Sequence, residues 1–300
     1  MSLRVVELFG YAPEDKCAAA TVYRKKSECP FVGGTCIKKF KSGLISGACT
    51  VKPVTSGPVI CCPNRMYAED YRVLLDVAAD AFGSGVRLCR TLADVKGDGK
   101  DVMVFGKRWG KELRLPNRGE GGGYFVDWVL ASLNSDRKLA GFVAVELQTM
   151  DTTGSYETEV RAHLDGKSSD KPSTAGINWE NVAKRILPQI IFKGHVLRNE
   201  PLCIKGMYFI CPAPVYDRIV TRLGGDLREY HPQSGALTFR WYDLAPPAKP
   251  GERRALVFGG QKTTTVDQVA LAFTSPKNLP NAGVYEIAIR AELEPKKEKN

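Results

Sequence analysis

The sequence has no apolar run approaching the roughly 18 residues needed to cross a bilayer. Its opening, MSLRVVELFGYAPEDKC, meets acidic residues before any apolar core of secretory-signal length. A cytoplasmic chain with no membrane partner is therefore expected. Only three histidines occur, His163, His195 and His231, too far apart for a metal-binding spacing. The string EGGG at 120–123 lacks the lysine and the strand–loop–helix context of a phosphate-binding loop. There is no internal repeat, no long low-complexity tract and no recognisable helix-turn-helix.

What is present is positive charge and thiol. Lys and Arg number 43 against 33 Asp and Glu, a net charge of +10. Such a surplus concentrates polyanions at the surface, and nucleic acid is the commonest of them. Nine cysteines in a chain without a secretory signal point to a reducing compartment. Thiols there bind metal or pack more often than they form disulfides.

Residues 1–65 hold most of the cysteines, many Gly, Pro, Lys and Thr, and little helical periodicity. They are expected to form a small metal-shaped module. Residues 66–300 are expected to form an α/β domain with a mixed central sheet flanked by helices. In the stretch 66–82, Val73, Leu74, Val77, Ala78 and Ala81 share one helical face, with a stop at Gly83. A second helix is expected over 178–194 from Val182, Ile186 and Ile190, with Pro188 as a kink or early end. Strands are expected at VMVFG (102–106), ALTFRWYDL, RRALVFGG and GVYEIAIRAEL. KGMYFICPAPVYDRIVTRL reads as a strand turning into a helix after Pro214.

YFVDWVLASL and LAGFVAVELQT, separated by the polar NSDRK, read as a hairpin. Asp127 lies in the first apolar run and Glu146 in the second. A register with Asp127 opposite Glu146 puts Ser135 opposite Lys138 and leaves Asp136-Arg137 as the turn. The two carboxylates then share a face about 5 Å apart at Cβ, joined by Gln148 two residues on. One explanation is a solvated face whose acids pair with nearby Lys or Arg. The other is a divalent cation that relieves their repulsion, Mg²⁺ being suited to oxygen ligands.

Cys29, Cys36 and Cys49, followed by Cys61 or Cys62, give C-x6-C-x12-C with x11 or x12 to the fourth thiol. Four thiolates around a tetrahedral ion make a closed structural site, and all-thiolate sites accept Zn or Fe. The alternative is a set of unligated, buried small side chains. Lys25, Lys26, Lys38, Lys39 and Lys41 around them suit contact with phosphate.

A Gly-rich approach, Asp127 on one strand and Glu146-Leu147-Gln148 on the next resemble the core of the PD-(D/E)xK nuclease superfamily. The strings VAVELQTMDTTG, ECPFVGGTC and ICCPNRMY are similar to those of the NotI/EagI-like type II restriction endonucleases. The chain departs from the general motif in having Val126 before the Asp and Gln148 in place of Lys. The Glu-x-Gln form belongs to that subgroup.

The resemblance implies a bacterial homodimer that hydrolyses double-stranded DNA with Mg²⁺. The site would be a GC-rich palindrome around GGCC, CGGCCG rather than GCGGCCGC for a chain of this length. Asp127 and Glu146 would bind Mg²⁺, and Gln148 would position water or metal. Cys29, Cys36, Cys49 and Cys62 would hold structural Fe or Zn. Arg161, Lys167, Lys171 and Arg240 are basic candidates for guanine contact. A reading from another class is a noncatalytic metal-containing DNA-binding regulator, in which the acidic pair is structural.

Overall fold

The computed structural model describes residues 2–109, 111–115, 124–168 and 173–293. The N-terminal part contains β1 (Leu3–Leu8), α1 (Ala18–Lys26), β2 (Ala48–Pro53) and β3 (Val59–Ile60). The three strands form an antiparallel sheet in the order β1-β2-β3. α2 (Ala68–Phe82), β4 (Arg87–Cys89) and β5 (Asp101–Gly106) follow. The short β6 (Arg114–Leu115) and β7 (Tyr124–Phe125) pair with each other. Next come β8 (Trp128–Leu133), β9 (Leu139–Leu147), β10 (Thr152–Thr153), α3 (Glu157–Leu164), β11 (Gly176–Ile177) and α4 (Leu187–Arg198). The remaining elements are β12 (Met207–Pro212), α5 (Ala213–Arg222), β13 (Ala236–Leu244), β14 (Leu256–Thr265), α6 (Val266–Thr274) and α7 (Val284–Leu293).

The central sheet has seven strands in the order β14-β13-β12-β9-β8-β5-β4. It is mixed: β12 runs parallel to both β9 and β13, β4 is parallel to β5, and the other pairs are antiparallel. β12 shows why both faces are covered, since all six of its residues are buried. Met207, Phe209 and Cys211 face one apolar cluster, while Tyr208 and Ile210 face the other. The first cluster takes Leu187, Ile190 and Leu197 of α4, Val215 and Ile219 of α5, and Val266 and Val269 of α6. The second takes Val73, Leu74, Val77, Ala78 and Ala81 of α2. The architecture is therefore α/β, with helices on both faces of one sheet.

The N-terminal segment has apolar support of its own. Leu3, Val5, Leu8, Phe9, Val51 and Val59 belong to the same cluster as α4 and β12. A buried ion pair adds to this join: the Arg65 guanidinium donates to both oxygens of Glu7 and, at 2.6 Å, to the Arg254 carbonyl. The change in composition near residue 65 thus does not coincide with a break in the core.

Three local expectations change. GVYEIAIRAEL forms helix α7 rather than a strand, because its apolar residues recur at both spacings and no neighbouring strand fixes the extended one. Pro188 does not end the helical run after 178. It is the second residue of α4, and a π-turn over Val182–Ile186 comes directly before it. α2 has the expected apolar face and stops at Gly83, but Glu69, Asp70 and Tyr71 form a left-handed first turn. The EGGG string, Lys171 and the 294–300 tail lie outside the described residues. Among the described residues, no helix is long and apolar enough to cross a membrane.

Candidate active site and cysteine cluster

β8 and β9 pair with Trp128 opposite Val145 and Leu130 opposite Val143. Extending that register by one residue sets Asp127 across from Glu146, as the hairpin pattern predicts. The turn differs. Asn134, not Ser135, faces Lys138, through Asn134 N–H to the Lys138 carbonyl at 2.9 Å. Ser135, Asp136 and Arg137 form a three-residue loop, with Arg137 left-handed at φ 62°. The resulting register shift falls between Ser132 and Leu133, beyond the carboxylates, so their facing is unchanged.

The chain bends at Asp127, and its Oδ2 accepts the Leu147 N–H at 2.8 Å. Glu146 is buried at the end of β9, on the sheet face that carries α4. Its Oε1 accepts from the Lys193 ammonium at 2.5 Å. Among the described residues, its buried Oε2 has no hydrogen-bond partner. Gln148 follows the strand, its N–H bonded to the Ile210 carbonyl at 2.9 Å and its side-chain amide to the Thr149 carbonyl at 2.8 Å. The structure therefore brings Asp127 and Glu146 together, while the Gln148 side chain is engaged with its neighbour's backbone.

The charges are unbalanced. Burial and the adjacent Asp127 carboxylate push Glu146 up to about 7, against the opposing pull of Lys193. Asp127 is also raised, by burial first, while the Leu147 N–H, Lys193 and Lys107 pull it down and Glu112 pushes it up. Two facing carboxylates, in direct contact with one ammonium and with one oxygen unpartnered among the described residues, are a donor set that fits a hard divalent cation.

A pH dependence of stability follows. Folded Glu146 keeps its proton at pH values where the unfolded chain has released it. Its contribution therefore falls as pH rises from the ordinary 4.5 to about 7, and is level above that. The stability of wild type relative to Glu146→Gln is expected to fall by on the order of 3 kcal/mol between pH 4.5 and about 7 and to stay level above that, as read from thermal melts of both proteins. Parallel curves across that range would reject the raised pKa.

Several residues that sequence reasoning missed stand beside the pair. Lys193 lies on the same helical stripe as Ile190 and Leu197, where an apolar residue is expected. A lysine on a buried stripe was the available signal. Tyr67, whose hydroxyl accepts from Trp128 Nε1 at 3.0 Å, has its pKa raised by burial and then by Asp127. With Tyr71, Trp109 and Trp128 it forms a packed aromatic wall. Arg240, a candidate for base contact, is instead buried against Asp80 and Gln261. Arg161 is exposed and paired with Glu157, and Lys167 is exposed.

Cys29, Cys36, Cys49, Cys61 and Cys62 are all free and buried. Left-handed Gly33 and Gly34 turn the chain between the first two, closed by Cys29 N–H to the Gly34 carbonyl at 2.8 Å. Cys61 and Cys62 N–H groups both reach the Cys49 carbonyl. Burial pushes the Cys49 thiol well up, with Cys62 and Cys29 adding to the rise. Cys62 is pushed up to about 12 by burial, opposed by Lys38 and reinforced by Cys61 and Cys36. The Cys61 thiol donates to the Ala48 and Cys49 carbonyls, and the Cys49 thiol to the Gly47 carbonyl.

Cys62 and Cys29 thus lie near Cys49, and Cys61 and Cys36 near Cys62; thiols of this kind are soft donors that suit Fe or Zn. Among the described residues, no three His, Cys, Asp or Glu side chains stand as a preformed metal cage. The Lys38 ammonium is bonded to the Cys61 carbonyl and so is not available for phosphate, whereas Lys25, Lys26, Lys39 and Lys41 are exposed.

No protein-family model matches this sequence, and no curated protein matches it.

Proposed function

We propose that this chain is a type II restriction endonuclease of the PD-(D/E)xK kind, hydrolysing phosphodiesters of double-stranded DNA with Mg²⁺. The observation that carries the reading is the facing pair Asp127 and Glu146, with one buried Glu146 oxygen left without a partner among the described residues. Asp127 and Glu146 would hold the ion. When bound, Mg²⁺ supplies charge neutralisation at the scissile phosphate and a water of lowered pKa. Asp127 also fixes the end of β9 through the Leu147 N–H, which sets where Glu146 and Gln148 begin. Gln148 carries no charge, so it can orient a water but cannot acidify it electrostatically. The net charge of +10 favours the DNA polyanion.

The proposed site is a GC-rich palindrome with a GGCC core, CGGCCG in preference to GCGGCCGC. Bacteriophage genomic DNA incubated with the protein in Mg²⁺ or EDTA is the test. Discrete Mg²⁺-dependent fragments whose sequenced ends share such a palindrome support the reading. Intact DNA across several divalent ions, with the protein folded and bound, supports the noncatalytic regulator instead.

A palindrome calls for a two-fold dimer. Helix α7 suits a covered surface: it has no buried residue and exposes Val284, Tyr285, Ile287, Ile289 and Leu293. Ten residues of helix are marginal alone in water. Sedimentation is expected to give a dimer for wild type and a monomer for Ile287→Lys/Leu293→Lys. A dimer in both would place the interface elsewhere.

The proposed structural ion sits among Cys29, Cys36, Cys49 and Cys62. Elemental analysis is expected to find about one Fe or Zn per chain in wild type and in Cys61→Ser, and to find it lost in Cys62→Ser. The reverse pattern would exchange the two cysteines.

A further inference from the structure

Glu146 has a cationic neighbour supplied by a helix, not by its own hairpin. Lys193 and Glu146 are both more than nine-tenths buried, and their contact joins α4 to the end of β9. A buried ammonium is stable only where a carboxylate answers it. Its placement is built into the packing of α4. Ile190 and Leu197, on the same stripe, anchor the helix in the core. At Gly194 an added Cβ would lie 2.4 Å from a Val266 methyl, so only glycine there lets α4 lie this close to α6. At position 148 the chain has a neutral amide already bonded to the Thr149 carbonyl.

We propose that Lys193 supplies, from helix α4, the fixed positive charge that a lysine at position 148 would supply from the strand. This rests on the nuclease reading above. Lys193 acts as a positioning residue and transfers no proton. Its ammonium engages Glu146 Oε1, which leaves Oε2 as the oxygen free to take a cation. It also holds one positive charge against the carboxylate pair, where a phosphate oxygen and the attacking water would approach. A lysine can serve this purpose from either element because the effect is electrostatic and depends on where the charge sits, not on which segment carries it.

The test is a swap, using full-length wild type, Lys193→Gln, Gln148→Lys and the double variant. DNA cleavage is measured alongside Mn²⁺ binding at pH 8.5 in the absence of DNA. Lys193→Gln is expected to cut about a hundredfold more slowly. It should bind Mn²⁺ several-fold more tightly, because no ammonium competes for Glu146. The double variant, with its lysine moved to the strand, is expected to regain at least about tenfold of the lost rate.

A purely structural lysine would give weaker Mn²⁺ binding and no recovery in the double variant, and either result overturns the proposal. So does a Lys193→Gln protein that cuts at the wild-type rate. Should Lys193→Gln not fold, Lys193→Met, an apolar chain of similar length on an apolar stripe, takes its place in the swap. Wild type that cuts while the swap fails retires this proposal alone. Wild type that binds Mn²⁺ and cuts nothing retires the nuclease reading and this proposal with it.

Discussion

Asp127→Asn is expected to lower Mg²⁺-dependent DNA cleavage by about a thousandfold or more, equivalent to roughly 4 kcal/mol of transition-state stabilisation, while leaving the fold intact. The isosteric amide keeps an oxygen to accept the Leu147 N–H, so the bend before β8 and the end of β9 should hold. It removes one of the two charges through which the site would bind a divalent ion. Burial raises Asp127, so the neutral amide also relieves a charge the protein holds at some cost. A melting temperature at or above that of wild type is therefore expected together with the loss of cleavage. Asp127→Ala should lose cleavage equally, and about 1 kcal/mol of stability with the Leu147 bond. Cleavage by Asp127→Asn at near the wild-type rate, measured in single-turnover assays, would remove the carboxylate from any role in the chemistry.

The second large effect lies in the join between the N-terminal sheet and the rest. Arg65 is fully buried, as is Glu7. Glu7 accepts from the Nε and Nη2 groups of the guanidinium and also from the Thr50 hydroxyl. Arg65→Met keeps the apolar stem but strands Glu7 in the core. Breaking one partner of such a pair costs about 3 to 5 kcal/mol, or roughly 5 to 8 °C in melting temperature for a chain of this size. Arg65→Met/Glu7→Gln removes the stranded charge and is expected to recover much of that loss. Equal destabilisation in the single and double variants would mean that the Arg254 carbonyl bond and the Phe31 contact carry the effect instead. Arg65 lies three residues after Cys62, so the single variant should also release any cysteine-bound metal at a lower temperature.

The hairpin was legible in the sequence because its signal is local. Apolar runs with a polar break fix the pairing, and the side-chain period of two then sets Asp127 across from Glu146. The turn was misjudged, YFVDWVLASL breaks at Val126-Asp127 into β7 and β8, and Gln148 lies past the end of β9 with its amide on the Thr149 carbonyl. Arg137 adopts a left-handed conformation that a preference for two-residue turns does not anticipate. That Cys29, Cys36, Cys49, Cys61 and Cys62 are all buried in one N-terminal region was legible for a similar reason, since short glycine-rich segments separate them. α7 was not, because VYEIAIRAEL satisfies the strand and helix periods alike and no adjacent strand decides between them.

Arg240 and Lys193 were beyond the sequence for a different reason. Each is a basic residue whose role depends on which distant carboxylate the fold delivers. Arg240 meets Asp80 across 160 residues and is buried as a structural ion pair. Lys193 meets Glu146 across 47 residues and enters the candidate site. By itself the sequence determined which carboxylates face each other across the hairpin and which thiols lie within one short segment, because chain geometry over a few residues allows few alternatives. Tertiary structure decided which cation answers those carboxylates, because that depends on how closely α4 packs against α6 and the end of β9, a distance that no local pattern encodes.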